Sequence, residues 1–101
     1  MNIKNQNSNK IIFGAIGTGR WGPNVIGAIN NIKNATLLKV ADLNKDVLNK
    51  LKSRFPSIIA TQSTSDIFND RNIDAVAICT PVESHMNLVR SALENGKHVF
   101  V

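Results

Sequence analysis

Three glycines separate the first apolar run of the chain from the helical pattern that follows it. The run Ile11–Gly17 reads IIFGAIG, and the glycines at 17, 19 and 22 then complete the spacing G-x-G-x-x-G. From Val25 onward apolar residues recur at helical spacing, so an amphipathic helix directly follows a buried strand. Glycines at these positions permit a tight turn, a close backbone approach and close packing of helix on strand. The motif therefore predicts a strand–turn–helix unit.

The alternation of strand and helix patterns continues to the end of the sequence. Strands that alternate with helices predict a parallel sheet with helices on both faces, wound by right-handed crossovers. We therefore predict an α/β, Rossmann-type doubly wound parallel sheet with strand order 3-2-1-4-5. The predicted strands are Ile11–Gly17, Leu37–Asp42, Ser57–Ala60, Asp74–Thr80 and His98–Val101. The predicted helices begin near Val25, after the N-cap Asn44, at Thr64 and at Ser84.

The first ten residues differ in composition from the rest of the chain. They read MNIKNQNSNK, which is polar, rich in asparagine and without the apolar stretch of a secretory signal. We expect a flexible polar leader at residues 1–10 and a single domain at residues 11–101. No apolar run approaches the roughly 20 residues that span a bilayer. The sequence therefore predicts a cytoplasmic protein without a membrane partner.

The composition also argues against two kinds of ligand. Twelve Lys and Arg against seven Asp and Glu give a net charge of +5, which is compatible with nucleic-acid binding. The basic residues are spread along a chain without tyrosine, however, and we interpret them as solvated helix faces. We expect no nucleic-acid partner. With one cysteine and two histidines, none at metal-ligand spacing, we also expect no disulfide and no metal site.

The glycine motif predicts a ligand when it is taken together with Asp42. The N-terminus of a helix offers unpaired N–H groups and a partial positive charge, which suit a pyrophosphate. Asp42 ends the second strand, about twenty residues after Gly22, where a carboxylate accepts bonds from ribose hydroxyls and repels a 2′-phosphate. These signals favour NAD over NADP, a preference that the neighbouring Lys45 would soften. The alternatives are a glycine-rich turn without a ligand and an aspartate that caps the next helix.

A third candidate segment, Cys79-Thr80-Pro81, ends the fourth strand. Strands one and four flank the point where the strand order reverses, and ligands bind in that crevice. Thr80 and Pro81 are therefore expected beside the cofactor, towards its nicotinamide; the alternative is a plain strand-to-helix turn. His85 either faces the crevice or packs within its helix, and Trp21 either covers the cofactor or packs elsewhere. We interpret Cys79 as a small buried residue and not as a catalytic one.

Four segments together resemble the N-terminal domain of the Gfo/Idh/MocA oxidoreductases, which include glucose-fructose oxidoreductase and inositol dehydrogenase. The segments are GAIGTGRWGPN, VADLN, AICTPVESH and ALENGKHVFV, and the resemblance extends over residues 11–101. It implies hydride transfer between a nicotinamide dinucleotide and a secondary alcohol of a sugar, sugar nucleotide or cyclitol. It also implies a second α/β domain with most substrate contacts and the oligomer interface. The residues that it places along the cofactor are Gly17, Thr18, Gly19, Arg20, Trp21, Gly22, Asp42, Thr80, Pro81 and His85.

The sequence departs from the family's pattern after the last predicted strand. In the family, the strand equivalent to His98–Val101 runs into a Glu-Lys-Pro motif whose lysine is central to the active site, and an acid–base residue follows later. We therefore predict no catalytic residue within this chain. We expect it to be a fragment of a larger two-domain enzyme, inactive alone, and its exposed last strand to cause self-association.

Two other functions fit parts of the pattern. A non-catalytic NAD(H)-sensing regulatory module shares the glycine motif and the acidic residue, but the Thr-Pro and Gly-Lys-His-Val segments argue against it. A methyltransferase that uses S-adenosylmethionine also has glycines after its first strand. Gly22, with a helix directly behind it, favours a pyrophosphate ligand instead.

Overall fold

The computed structural model describes residues 10–17 and 22–101, and every element below lies within them. Five parallel strands form one sheet in the order β3-β2-β1-β4-β5, which confirms the predicted order. Among these residues, no helix has both the length and the apolar character required to cross a bilayer. The strands are β1 (Ile11–Ile16), β2 (Ala35–Ala41), β3 (Ile59–Thr61), β4 (Ala75–Ile78) and β5 (His98–Phe100). The helices are α1 (Gly22–Asn31), α2 (Lys45–Arg54), α3 (Ser65–Phe68) and α4 (Val82–Glu94).

The ends of these elements differ from the predicted ones by up to three residues, since α1 begins at Gly22 and not near Val25. Helix α4 shows one cause. We predicted that this helix begins at Ser84, but it begins at Val82. Pro81 occupies the N-cap position with φ −56° and ψ 151°, so the proline ring already fixes the chain for entry into a helix. The Ser84 hydroxyl donates to the Pro81 carbonyl at 2.9 Å and supports this first turn from within.

Each face of the sheet carries its own apolar core. Side chains alternate along β1, so Phe13 and Ala15 join one cluster while Ile16 joins the other. Helices α1 and α2 cover the first face, and α3 and α4 cover the second. The largest fully buried side chain among the helices on each face is an isoleucine, Ile26 in α1 and Ile67 in α3. A parallel sheet buried on both faces is what the continuous apolar runs predict.

Gly14 lies in β1 and leaves room for α3. A Cβ at this position would lie 2.7 Å from Ile67 Cγ2 and 3.2 Å from Ile73 Cδ1, and both isoleucines are buried. We expect Gly14→Ala to lower the free energy of unfolding by about 1–3 kcal/mol because it overpacks this core. The control is Gly27→Ala in α1, where an added Cβ meets nothing within 4 Å. It should raise stability by up to about 1 kcal/mol. Denaturant unfolding measures both, and equal stability of the two variants would contradict the expectation.

A buried lysine joins two loops at the amino-terminal edge of the sheet. Lys97 is 7% exposed and follows Gly96, whose φ of +73° ends α4 in a left-handed turn. Its Nζ donates to the carbonyls of Asp70 at 2.6 Å and Ile73 at 2.8 Å. The Asp70 carboxylate in turn accepts from Lys39 Nζ at 2.8 Å. These contacts hold the loop before β4 against the loop before β5.

Asp70 is expected to stabilise the fold at neutral pH and to lose this effect in acid. The hydrogen bond from Lys39 holds the pKa of the Asp70 carboxyl below its ordinary value of 3.8. The folded state therefore binds fewer protons than the unfolded chain, and stability is lost as pH falls through the lowered pKa. Asp70→Asn should be less stable than wild type at about pH 7, with the difference shrinking below about pH 4. Denaturant unfolding across this range tests the sign, and a constant difference would contradict it.

Candidate functional site

A cavity of about 500 Å³ lies at the carboxyl ends of the strands. It opens where the strand order reverses, because β1 pairs with β2 on one side and with β4 on the other. Open α/β sheets bind ligands at this point. Four of the predicted site residues line the cavity: Gly17, Asp42, Thr80 and Pro81. The fold thus brings together residues from three different strand ends.

The remaining predicted residues lie in three different places. Thr18, Gly19, Arg20 and Trp21 fall outside the described residues, so their roles stay predictions. Gly22 is the first residue of α1, which carries no acidic side chain in its first turn. The partial positive charge of this helix N-terminus is therefore not opposed by a carboxylate of the same turn. The tenth predicted residue, His85 in α4, does not line the cavity.

Gly17 and Thr80 lie so close together that no side chain fits between them. Gly17 has φ +74°, in the left-handed region that favours glycine, and its N–H donates to the Ala41 carbonyl at 2.8 Å. A Cβ on Gly17 would collide with Thr80 Cγ2 and lie 3.0 Å from the Thr80 backbone nitrogen. Glycine is therefore required here for two reasons, the left-handed backbone and the approach of the chain after β4.

The turn after β4 is held by side chains of α4. Cys79 N–H donates to the Ile16 carbonyl at 2.8 Å and continues the pairing with β1 beyond the end of β4. Ser84 Oγ lies 2.8 Å from Thr80 Oγ1, within hydrogen-bond distance, and His85 Nε2 lies 2.6 Å from the Thr80 carbonyl oxygen. His85 does not line the cavity, so its contact with the site is through Thr80.

Asp42 stands at the opposite side of the cavity, directly after β2. Its N–H donates to the Thr61 carbonyl at 3.0 Å, and its Oδ1 accepts from Asn44 N–H at 2.8 Å. Gln62 adds a further restraint, because its Nε2 donates to the Leu43 carbonyl at 2.9 Å. These bonds fix the carboxylate at the rim, where it is partly exposed and able to accept bonds from a ligand's hydroxyl groups.

The sequence analysis missed several residues that line the cavity. Gln62 directly follows β3 as Asp42 follows β2, and the carboxyl ends of parallel strands share one edge, so strand order alone was a usable signal. Cys79 lines the cavity and is only partly buried, so the prediction of a buried residue is wrong. Desolvation nevertheless raises the pKa of its thiol, which keeps it protonated. The lining residues that were not predicted as site residues are Ile16, Ala41, Leu43, Gln62, Thr64, Cys79, Ser84, Asn87 and Leu88.

A larger depression of about 740 Å³ lies at the opposite, amino-terminal edge of the sheet. Its lining includes Arg71, Lys97 and His98 and none of the predicted site residues. Lys97 Nζ is engaged with two backbone carbonyls there. Because the ligand chemistry of an α/β sheet resides at the carboxyl ends of its strands, the smaller cavity is the candidate site.

Comparisons with known proteins agree with this geometry. The chain is 31% identical to myo-inositol 2-dehydrogenase of Thermotoga maritima over 88 residues, which are 87% of this chain and 26% of that protein. It is 33% identical to galactose 1-dehydrogenase of Pseudomonas fluorescens over 93 residues, 90% of this chain and 28% of that protein. The crystal structure of scyllo-inositol dehydrogenase from Lactobacillus casei with bound NAD(H) and scyllo-inositol superposes with a TM-score of 0.82 at 30% identity. That match covers 89% of this chain and 27% of the other.

The chain therefore spans about a quarter of the length of these relatives. Residues 11–101 match the family profile GFO_IDH_MocA, described as an oxidoreductase family with an NAD-binding Rossmann fold. This is the family that the sequence motifs resemble. The fold of this chain, its strand order and the position of its crevice agree with that assignment. The chain belongs to the Gfo/Idh/MocA oxidoreductases and forms their NAD-binding Rossmann domain.

Proposed function

We propose that this domain binds NAD in the crevice between Gly17, Asp42 and Thr80 and serves an enzyme that oxidises a secondary alcohol of a cyclitol or sugar, or reduces the corresponding ketone. The observation that carries the proposal is the crevice itself, where a glycine turn, a carboxylate and a Thr-Pro turn meet at the reversal of strand order. The relatives support the substrate class, since they are named as inositol and galactose dehydrogenases.

The residues of the crevice fit a dinucleotide. The start of α1 suits a pyrophosphate, since its first turn has no acidic side chain. Asp42 suits the hydroxyls of the adenosine ribose and opposes a 2′-phosphate, which favours NAD over NADP. Thr80 and Pro81 lie across the crevice and are assigned to the nicotinamide end. When bound, the nicotinamide supplies the hydride acceptor or donor, and these residues orient it.

The proton transfer that accompanies such a reaction is assigned to residues outside this domain. Among the described residues that line the crevice, the titratable ones are Asp42 and Cys79. Asp42 is committed to the ribose, and burial raises the pKa of Cys79, which does not suit a general base near neutral pH. We therefore propose that a second domain supplies the acid–base group and most substrate contacts. Residues 1–101 alone would then not catalyse the reaction.

Calorimetric titration of the folded chain with NAD, NADP and S-adenosylmethionine tests the cofactor assignment. We expect binding of NAD, weaker binding of NADP and no binding of S-adenosylmethionine. A folded chain that fails to bind NAD would overturn the assignment. A turnover assay with inositols and sugars tests the second part, and measurable dehydrogenase activity of this chain alone would contradict the proposed division of labour.

We also propose that the chain self-associates through α4 and β5. Strand β5 is an edge of the described sheet, and apolar side chains near it are exposed: Met86 by 72%, Leu93 by 61% and Val101 by 76%. An edge strand beside exposed apolar side chains is prone to pair with a second copy. Sedimentation should show dimers or larger species whose population falls in Leu93→Lys. A wild-type monomer at high concentration would argue against self-association.

A further inference from the structure

We propose that His85 is a positioning residue, which holds the Thr80 carbonyl and so sets the turn that forms one wall of the crevice. The consequence for NAD binding rests on the function proposed above. Two contacts hold Thr80. His85 Nε2 lies 2.6 Å from its carbonyl oxygen, and Ser84 Oγ lies 2.8 Å from its Oγ1, so both the main chain and the side chain are restrained. Both side chains come from the first turn of α4.

The turn needs side-chain support because the strand ladder ends before it. The Cys79 N–H still donates to the Ile16 carbonyl, but Pro81 has no N–H to offer. The chain therefore leaves the sheet at Thr80 with one backbone donor fewer than an ordinary strand end. The imidazole of His85 and the hydroxyl of Ser84 replace that missing restraint.

The position of Thr80 matters because it packs directly against the glycine turn. The Thr80 backbone nitrogen lies 3.0 Å from the point where a Gly17 Cβ would be. A displacement of Thr80 therefore moves the wall of the crevice after β4 relative to the wall at Gly17, where β1 ends and the glycine motif begins. His85 acts on the ligand site through this contact, although its own side chain is outside the cavity lining.

The bond to Thr80 also fixes the protonation pattern of the imidazole. A carbonyl oxygen only accepts hydrogen bonds, so the proton of the neutral ring must reside on Nε2. Nδ1 is then the acceptor nitrogen. This tautomer has a distinct signature in ¹⁵N–¹H NMR spectra, and it can be measured without any ligand.

Two substitutions separate the hydrogen bond from the bulk of the side chain. In His85→Gln the amide nitrogen stands as many bonds from Cα as Nε2 does, so it can donate to the Thr80 carbonyl. In His85→Asn the amide nitrogen stands one bond nearer to Cα, at the position of Nδ1, and falls short. We expect the Kd for NAD to rise about threefold to tenfold in His85→Asn and His85→Ala, and to stay within about twofold of wild type in His85→Gln.

The experiment combines NMR of the chain without ligand with NAD titration of the four proteins. The proposal expects the Nε2–H tautomer in the wild type, and amide shifts at Gly17 and Cys79 that change in His85→Asn but much less in His85→Gln. An Nδ1–H tautomer, or equal Kd values for the Gln and Asn variants, would overturn it. Wild type that shows the Nε2–H tautomer without binding NAD would instead refute the proposed function. If His85→Ala does not fold, the Gln and Asn pair still decides the question.

Discussion

Gly17→Ala is expected to destabilise the domain and to weaken NAD binding about tenfold or more. Its φ of +74° lies in the left-handed region, where an L-residue costs about 1–2 kcal/mol. The added Cβ would also collide with Thr80 Cγ2 and press on the Thr80 backbone nitrogen at 3.0 Å. Backbone atoms on both sides cannot move apart without breaking the pairing of β1 with β4. The free energy of unfolding should therefore fall by more than the cost of the left-handed backbone alone. Calorimetric titration should show the loss of affinity for NAD.

Gly96→Ala is the matched control for this substitution. Gly96 has nearly the same φ, +73°, but a Cβ there meets nothing within 4 Å. It lies in the turn between α4 and β5, outside the lining of the candidate site. Gly96→Ala should show the strain of about 1–2 kcal/mol and an unchanged Kd for NAD. Equal effects of the two substitutions on stability and binding would show that the contact with Thr80 is unimportant.

The second large effect is expected at Asp42, whose single negative charge we propose as the determinant of cofactor choice. In Asp42→Asn the side-chain oxygen can still accept from Asn44 N–H, so the turn after β2 is retained. The negative charge is lost, and with it the charge-assisted bonds to ribose hydroxyls, each worth about 1.5–3 kcal/mol. We expect the Kd for NAD to rise about tenfold or more. The Kd for NADP should fall, because the repulsion of its 2′-phosphate is removed.

Asp46→Asn provides the comparison for Asp42. Asp46 is exposed in the first turn of α2, four positions further on, and does not line the cavity. Its substitution removes the same charge from the same region, so it reports the long-range electrostatic contribution alone. In Asp46→Asn the ratio of the Kd for NAD to the Kd for NADP should change little. If Asp42→Asn keeps the NAD preference of the wild type, the carboxylate does not select the cofactor.

The fold and the outline of the site could be predicted from local patterns. Short apolar runs alternate with stretches of helical periodicity, and this alternation predicted the number and order of the strands. Because the strands are parallel, their carboxyl ends lie at one edge of the sheet. Gly17, Asp42 and Thr80 were therefore recognisable as neighbours although they are far apart in the chain. Each stands at the end of a strand, where topology alone determines what lies nearby.

The side-chain network around Thr80 could not be predicted in the same way. His85 stands at a spacing that is equally compatible with facing the crevice and with packing inside, and only the rotation of α4 decides between them. That rotation depends on where the helix begins. With Pro81 as its N-cap, α4 begins at Val82, two residues before the predicted start at Ser84. The burial of Lys97 was hidden for a related reason, because its carbonyl partners at Asp70 and Ile73 belong to a loop that is remote in sequence.

The contact between Gly17 and Thr80 ties the ligand site to the order in which the chain is made. The glycine turn is synthesised early, but its wall arrives only with β4, after β2, β3 and three helices. A nascent chain on the ribosome therefore holds no complete crevice until Thr80 has left the exit tunnel. A ligand that binds only the folded state adds RT ln(1 + [L]/Kd) to stability. If the proposed site is correct, NAD therefore stabilises this domain only late in its synthesis, once the sheet is fully paired.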